Sequence, residues 1–277
     1  MLTLFKKIIH RSINSLGFEI MFIKNIQGAL ECRDKKRKFM YLEWMKNIGI
    51  THVLDIGANT GQFAQEIHEL LPSAIIHSFE PVPQVFEELE KNLETIPGAK
   101  AYNLGIGADD GQLSIYVNEF SPTTSLLSMT PQQKSEFGHR FPEITKMGYE
   151  LVVEVKRLDN IATEINLSSP YLIKVDTEGY ELNVIMGGSK VIRNADVVIM
   201  ETSFYELYKG QALFSEVHDA MNDLGFYYAG AFGVNLSPRD GLILQQDSIF
   251  LPHRYARDRK GFPDDSNQLV NDEGVRP

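Results

Sequence analysis

The chain has 277 residues, 43% of them apolar and 23% charged, with a net charge of −10 and one cysteine, Cys32. This composition is that of a globular domain with an ample core. It excludes an internal disulfide, argues against a general nucleic-acid binder, and offers no apolar run of the ~18–20 residues that a membrane span needs. A lone cysteine fits a reducing compartment, so a cytoplasmic setting is expected.

Residues 1–50 read as a helical extension. Near the start, Leu4, Ile8, Ile9 and Ile13 share a helical face, with Lys6, Lys7 and Arg11 elsewhere. Two readings stand: a helix packed on the domain, or a basic amphipathic helix making peripheral contact with a membrane. No small-residue cleavage site follows, so a signal peptide is not expected. Arg33–Asn47 reads as a helix with Phe39, Leu42 and Met45 on one side.

Residues 51–252 read as the main domain. Strands are expected at Thr51–Ile56, Ala74–Glu80 and Lys100–Leu104, with helices at Gln62–Leu71 and Pro83–Thr95 between them. Leu113–Asn118 and Glu150–Lys156 alternate like a pair of hairpin strands. The intervening 119–149 is rich in Ser, Thr, Pro and Gln and reads as an insert, either a lid or binding loop or a plain solvated loop. A helix at Leu158–Ile165 and strands at Tyr171–Asp176 and Asp196–Glu201 resume the alternation. The helix expected over Tyr180–Arg193 has a weak point at Gly187-Gly188. A helix at Phe214–Leu224 and strands at Phe226–Ala229 and Ser248–Pro252 complete the pattern, and 253–277 reads as a polar tail. Repeated βαβ units imply an α/β, doubly wound, mostly parallel sheet.

Two segments carry chemistry. The first is V-L-D-I-G-A-N-T-G, Val53 to Gly61, joined by Glu80 at the end of the second strand. Gly57 and Gly61 let the backbone turn and approach a ligand, and Glu80 can accept ribose hydroxyl hydrogens. The third glycine of a dinucleotide fingerprint is missing, and Asp55 would repel a pyrophosphate, which disfavours a dinucleotide oxidoreductase. The second segment is I-K-V-D-T-E-G-Y-E, Ile173 to Glu181. Asp176 and Glu178 form a carboxylate pair suited to act as base, to orient an acceptor hydroxyl, or to bind a divalent metal. Glu181 reads as a helix cap or a site residue. Glu201, ending I-M-E, would sit beside Asp176 if the two strands are neighbours. His139 in the insert is a reserve acid–base candidate, while His52, His77 and His218 read as structural.

Together, D-I-G-A-N-T-G, F-E-P and K-V-D-T-E-G-Y-E with Gly187 downstream resemble the FkbM family of methyltransferases, over about residues 51–230. The resemblance implies a class I methyltransferase (Rossmann-like) fold, with a seven-stranded sheet whose last strand is antiparallel. It implies S-adenosyl-L-methionine as methyl donor and a hydroxyl acceptor on a sugar, glycan or natural product. Carried over, Asp55, Gly57, Asn59 and Gly61 form the cofactor loop, Glu80 holds the ribose, and Asp109 faces the adenine amino group. Asp176 and Glu178 match the element near the transfer site. Thr124-Ser125-Leu126 resembles a short element of the family's insert. An N- or carboxyl-methyltransferase, or a non-catalytic binding module on the same fold, stay open as alternatives.

Overall fold

The computed structural model describes residues 42–117, 149–237 and 239–256. The N-terminal amphipathic segment, the insert with His139, and all but the start of the tail lie outside the described residues. The chain divides into two units, residues 1–47 and 48–277. The described part of the helix expected over 33–47 is a 3-10 helix, Glu43–Ile48, not an α-helix. Its first turn closes with the Met45 N–H reaching only to the Leu42 carbonyl, at 2.9 Å. Gly49, at φ +75°, turns the chain out directly afterwards.

The second unit begins β1 (His52–Ile56), α1 (Gln62–Leu70), β2 (Ile75–Phe79), α2 (Pro83–Leu93) and β3 (Lys100–Tyr102). Helix α1 buries Ala64, Ile67 and Leu70 at helical spacing, and α2 starts on Pro83, whose fixed φ suits a first turn. Next come β4 (Gly105–Ile106), β5 (Gly111–Val117), β6 (Tyr149–Lys156) and α3 (Leu158–Glu164). Then follow β7 (Tyr171–Val175), α4 (Glu181–Gly187), α5 (Ser189–Asn194) and β8 (Val197–Ser203). The unit ends with α6 (Phe214–Asp223), β9 (Phe226–Leu236) and β10 (Ile243–Pro252).

Seven strands form one sheet in the order β3-β2-β1-β7-β8-β10-β9. Strand β10 runs antiparallel to both its neighbours, and the other pairs are parallel. The central strands are covered on both faces: every residue of β7 is buried, and Val197, Val198, Ile199 and Met200 of β8 are fully so. That is why they read as continuous apolar runs instead of alternating ones. Strand order reverses at β1, which lies between β2 and β7. In sheets with such a reversal, ligands sit in the crevice beyond the carboxyl ends of the strands at the switch point, here β1 and β7.

Three expectations need correction. The strand expected over Lys100–Leu104 ends at Tyr102: β3 stays in the large sheet, while a further strand just beyond the expected span, β4, joins β6 and β5 in a separate three-stranded sheet. Asn103 marks the break, its side-chain amide donating to the Glu80 and Pro81 carbonyls at 2.9 and 3.2 Å. Strands β9 and β10 both extend beyond the expected spans, because their polar residues pair with each other and with β8. The expected helix at Tyr180–Arg193 is two helices, α4 and α5, meeting at the anticipated glycine pair. A Cβ on Gly187 would overlap the Gly107 carbonyl, so this glycine lets α4 lie directly on the segment after β4. Among the described residues, no helix is long and apolar enough to cross a membrane.

Candidate active site

The first motif leaves β1 and turns at once. Gly57 has φ +78°, Asn59 φ +50° and Gly61 φ +89°. Both Gly57 and Ala58 donate their N–H to the Phe79 carbonyl at 3.0 Å, folding the loop over the end of β2. There it meets Glu80, which is buried. Its Oε2 accepts from the Asn59 N–H at 3.0 Å, and its Oε1 from the Val82 N–H at 3.0 Å. Burial raises the Glu80 carboxyl to about 7, while these two bonds pull it down. Asp55 is 1% exposed and takes a 3.4 Å bond from the Ser78 hydroxyl. Burial raises it to about 7 although the Lys174 ammonium is near.

The second motif leaves β7 beside the first. The Asp176 N–H donates to the Ile56 carbonyl at 2.9 Å, and a Cβ on Gly57 would overlap the Asp176 carbonyl. The two loops are thus in backbone contact, and only glycine fits at 57. Glu178 takes a left-handed φ of +51°, rare for a non-glycine residue, and Gly179 follows at +104°. Glu181 holds this turn together. Its Oε1 accepts from Thr177 N–H at 3.2 Å, Thr177 Oγ1 at 3.1 Å and Gly179 N–H at 3.1 Å. Glu181 is therefore the brace of the loop.

Strand β8 lies beside β7 and brings Glu201 alongside. Asp176, Glu178 and Glu201 place one carboxylate oxygen each within 4.8 Å of one another. Such crowding favours protonation. Burial, then the Asp176 charge, raises Glu178 to about 8, and the same two causes hold Glu201 well above the ordinary range. The nearby Tyr208 and Gln245 side chains pull Glu178 part of the way back down, and Gln245 Nε2 donates to Glu201 Oε2 at 2.8 Å. The cation beside Asp176 is the chain's own. Lys174 Nζ lies 3.0 Å from Asp176 Oδ2 and 3.1 Å from Asp247 Oδ1. A divalent metal is one of three uses the sequence leaves open for this pair, and among the described residues only the acidic cluster itself points to one.

The sequence motifs pointed to Asp55, Gly57, Asn59, Gly61, Glu80, Asp176 and Glu178, and the structure gathers these around one crevice. Asp109 is exposed on the turn after β4, where its charge, second to burial, raises the phenol of Tyr180 in the second motif. His139 lies outside the described residues. His77 is a core residue, stacked on His52 and Tyr102 and lowered to about 4 by burial. Lys174, Asp247, Gln245 and Tyr208 were missed. The available signal for Lys174 was a charge inside an otherwise apolar strand, Y-L-I-K-V.

Strand order, the single antiparallel strand and the crevice at the switch point define a class I methyltransferase fold. Residues 55–228 match the model of the methyltransferase FkbM domain, and the chain belongs to that family. It is 32% identical over 142 residues to Methyltransferase 1 of Beauveria bassiana, covering 49% of this chain and 57% of that protein. It is 26% identical over 160 residues to the 2-O-methyltransferase NoeI of Sinorhizobium fredii, covering 57% of this chain and 66% of that protein. The match thus spans less than two thirds of either relative's own length. The crystal structure of methyltransferase FkbM from Methylobacillus flagellatus superimposes with a TM-score of 0.44 at 14% identity, over 73% of this chain and 43% of that one.

Proposed function

We propose that the protein is an S-adenosylmethionine-dependent O-methyltransferase acting on a hydroxyl of a sugar, glycan or natural-product acceptor. The observation that carries this reading is the contact between the two motifs. The glycine loop, which Glu80 braces through the Asn59 N–H, and the carboxylate loop starting at Asp176 meet at Gly57. The donor set fits the implied cofactor. Each Glu80 oxygen spends one lone pair on a backbone N–H and keeps another for a ribose hydroxyl. The carboxyls of Asp55, Glu80 and Asp176 favour a cationic ligand, whose charge would in turn draw Asp55 and Glu80 toward ionisation, and disfavour a pyrophosphate. Bound S-adenosylmethionine supplies an activated methyl group, so alignment and proton removal are left to the protein. Asp176 accepts the proton of the acceptor hydroxyl, and Glu178 and Glu201 donate hydrogen bonds to the acceptor while they hold protons. Oxygen as the methylated atom is supported by NoeI, whose name gives a 2-O-methyltransferase. A net charge of −10 supports a small or glycan acceptor over a nucleic acid.

Calorimetry with S-adenosylmethionine and S-adenosylhomocysteine tests the cofactor. One-to-one binding is expected, weakened at least about tenfold in Glu80→Ala, since two charge-assisted bonds to the ligand are lost. No binding by folded protein sinks the reading. Asp176→Asn should keep that binding and lose about 10²–10⁴ in turnover, the usual worth of a general base. Equal loss of both would remove Asp176 from the role.

A further inference from the structure

Strand β7 reads Y-L-I-K-V and is buried throughout, yet its fourth residue is a lysine only 4% exposed. An ammonium in such a place is costly unless it is paired. Lys174 is paired twice, with carboxylates from two different segments. It precedes Asp176 by two positions, so both side chains start from the same face of the strand, and Nζ lies 3.0 Å from Oδ2. The second partner, Asp247 at 3.1 Å, comes from β10, beyond β8. Room for the Asp247 carboxylate is made by a glycine. A Cβ on Gly233 of β9, its register partner, would stand 2.7 Å from Asp247 Oδ2. Residues from three strands thus serve one contact at the edge of the crevice.

We propose that Lys174, clamped by Asp247, is a positioning residue for methyl transfer. It fixes the Asp176 carboxylate through Oδ2, so that Oδ1 is the oxygen presented to the acceptor hydroxyl. This rests on the reading of Asp176 as the base. Lys174 is not itself the base, because two carboxylates hold its proton. Burial alone would favour losing that proton, but the charges of Asp176, Asp247 and Glu201 outweigh it and raise the ammonium above the ordinary lysine range. The side chain of Asp176 is 38% exposed, against 5% for Lys174, so the carboxylate meets the crevice while its anchor does not.

The test compares wild type with Lys174→Met, Lys174→Arg and Asp247→Asn. S-adenosylhomocysteine binding is measured first, and then transfer of a tritiated methyl group from S-adenosylmethionine to pooled methyl hexosides. Binding within about threefold of wild type is expected in all three variants. kcat should fall about 100-fold in Lys174→Met and about tenfold in Asp247→Asn, with acceptor KM little changed, and recover in part in Lys174→Arg. If Lys174→Met does not fold, Asp247→Asn, which keeps the ammonium beside Asp176, decides. Transfer within threefold of wild type in the folded variants overturns the proposal, as does a loss of transfer only in proportion to binding. A readout without acceptor is the ¹⁵Nζ resonance of Lys174 at neutral pH. It should move in both Asp176→Asn and Asp247→Asn, and a resonance that moves in neither overturns the clamp whatever the acceptor panel yields. Failure of wild type to bind S-adenosylhomocysteine would instead count against the underlying functional reading.

Discussion

Gly57 shows how a single residue joins two distant motifs. Its φ of +78° already disfavours any side chain, and a Cβ would strike the Asp176 carbonyl. Gly57→Ala should therefore cost on the order of 2–4 kcal/mol, combining backbone strain with displacement of the neighbouring loop. Denaturant unfolding of the purified variant measures this, and a cost under about 1 kcal/mol would mean that the loops are not in contact. The need for glycine at this position was legible in D-I-G-A-N-T-G. Its partner was not, because register between β1 and β7 is a property of the assembled sheet. The same holds for Glu178, whose left-handed backbone cannot be read from T-E-G.

The turn after β7 behaves as an element in its own right. Glu181, 2% exposed, gives one oxygen to three donors of that turn. Glu181→Ala leaves those donors unsatisfied, with an expected loss of about 1–3 kcal/mol and weaker methyl transfer as Asp176 and Glu178 loosen. Thermal melts and turnover, measured together, check this, and a stable variant with wild-type turnover would refute it. The sequence pattern left Glu181 between cap and site residue, since an acidic residue in a first turn satisfies both descriptions. The strands were legible where they are apolar. Asp247 escaped notice because the last strand was expected only from Ser248, whereas the polar run Gln245–Asp247 is already paired with Glu201–Ser203. Amphipathic alternation cannot mark an element whose polar residues face one another inside the protein.

At the scale of the whole molecule, the buried carboxylates set the response to pH. Asp55, Glu80 and Glu178 shift from ordinary values of 3.8, 4.5 and 4.5 to about 7, 7 and 8 on folding. Between those limits the folded chain binds protons that the unfolded chain has released. The stability these groups contribute is present below about pH 4 and is lost as pH rises through 7–8. His77, lowered from 6.5 to about 4, acts in the opposite sense, but only within that lower window. The ligand-free protein should thus melt at a lower temperature at pH 8 than at pH 6.5, and Glu178→Gln should flatten the slope. Scanning calorimetry across that range measures it, and a melting temperature that rises would show these carboxyls ionised throughout. The small sheet has a different bearing on the molecule. Val117 and Tyr149 are cross-strand partners, so residues 118–148 depart from and return to the same rung. Lengthening a connection whose ends are already joined costs little, about 0.6 kcal/mol for each doubling. The sheet therefore tolerates a change in the length of this connection at small cost to the two strands that bound it.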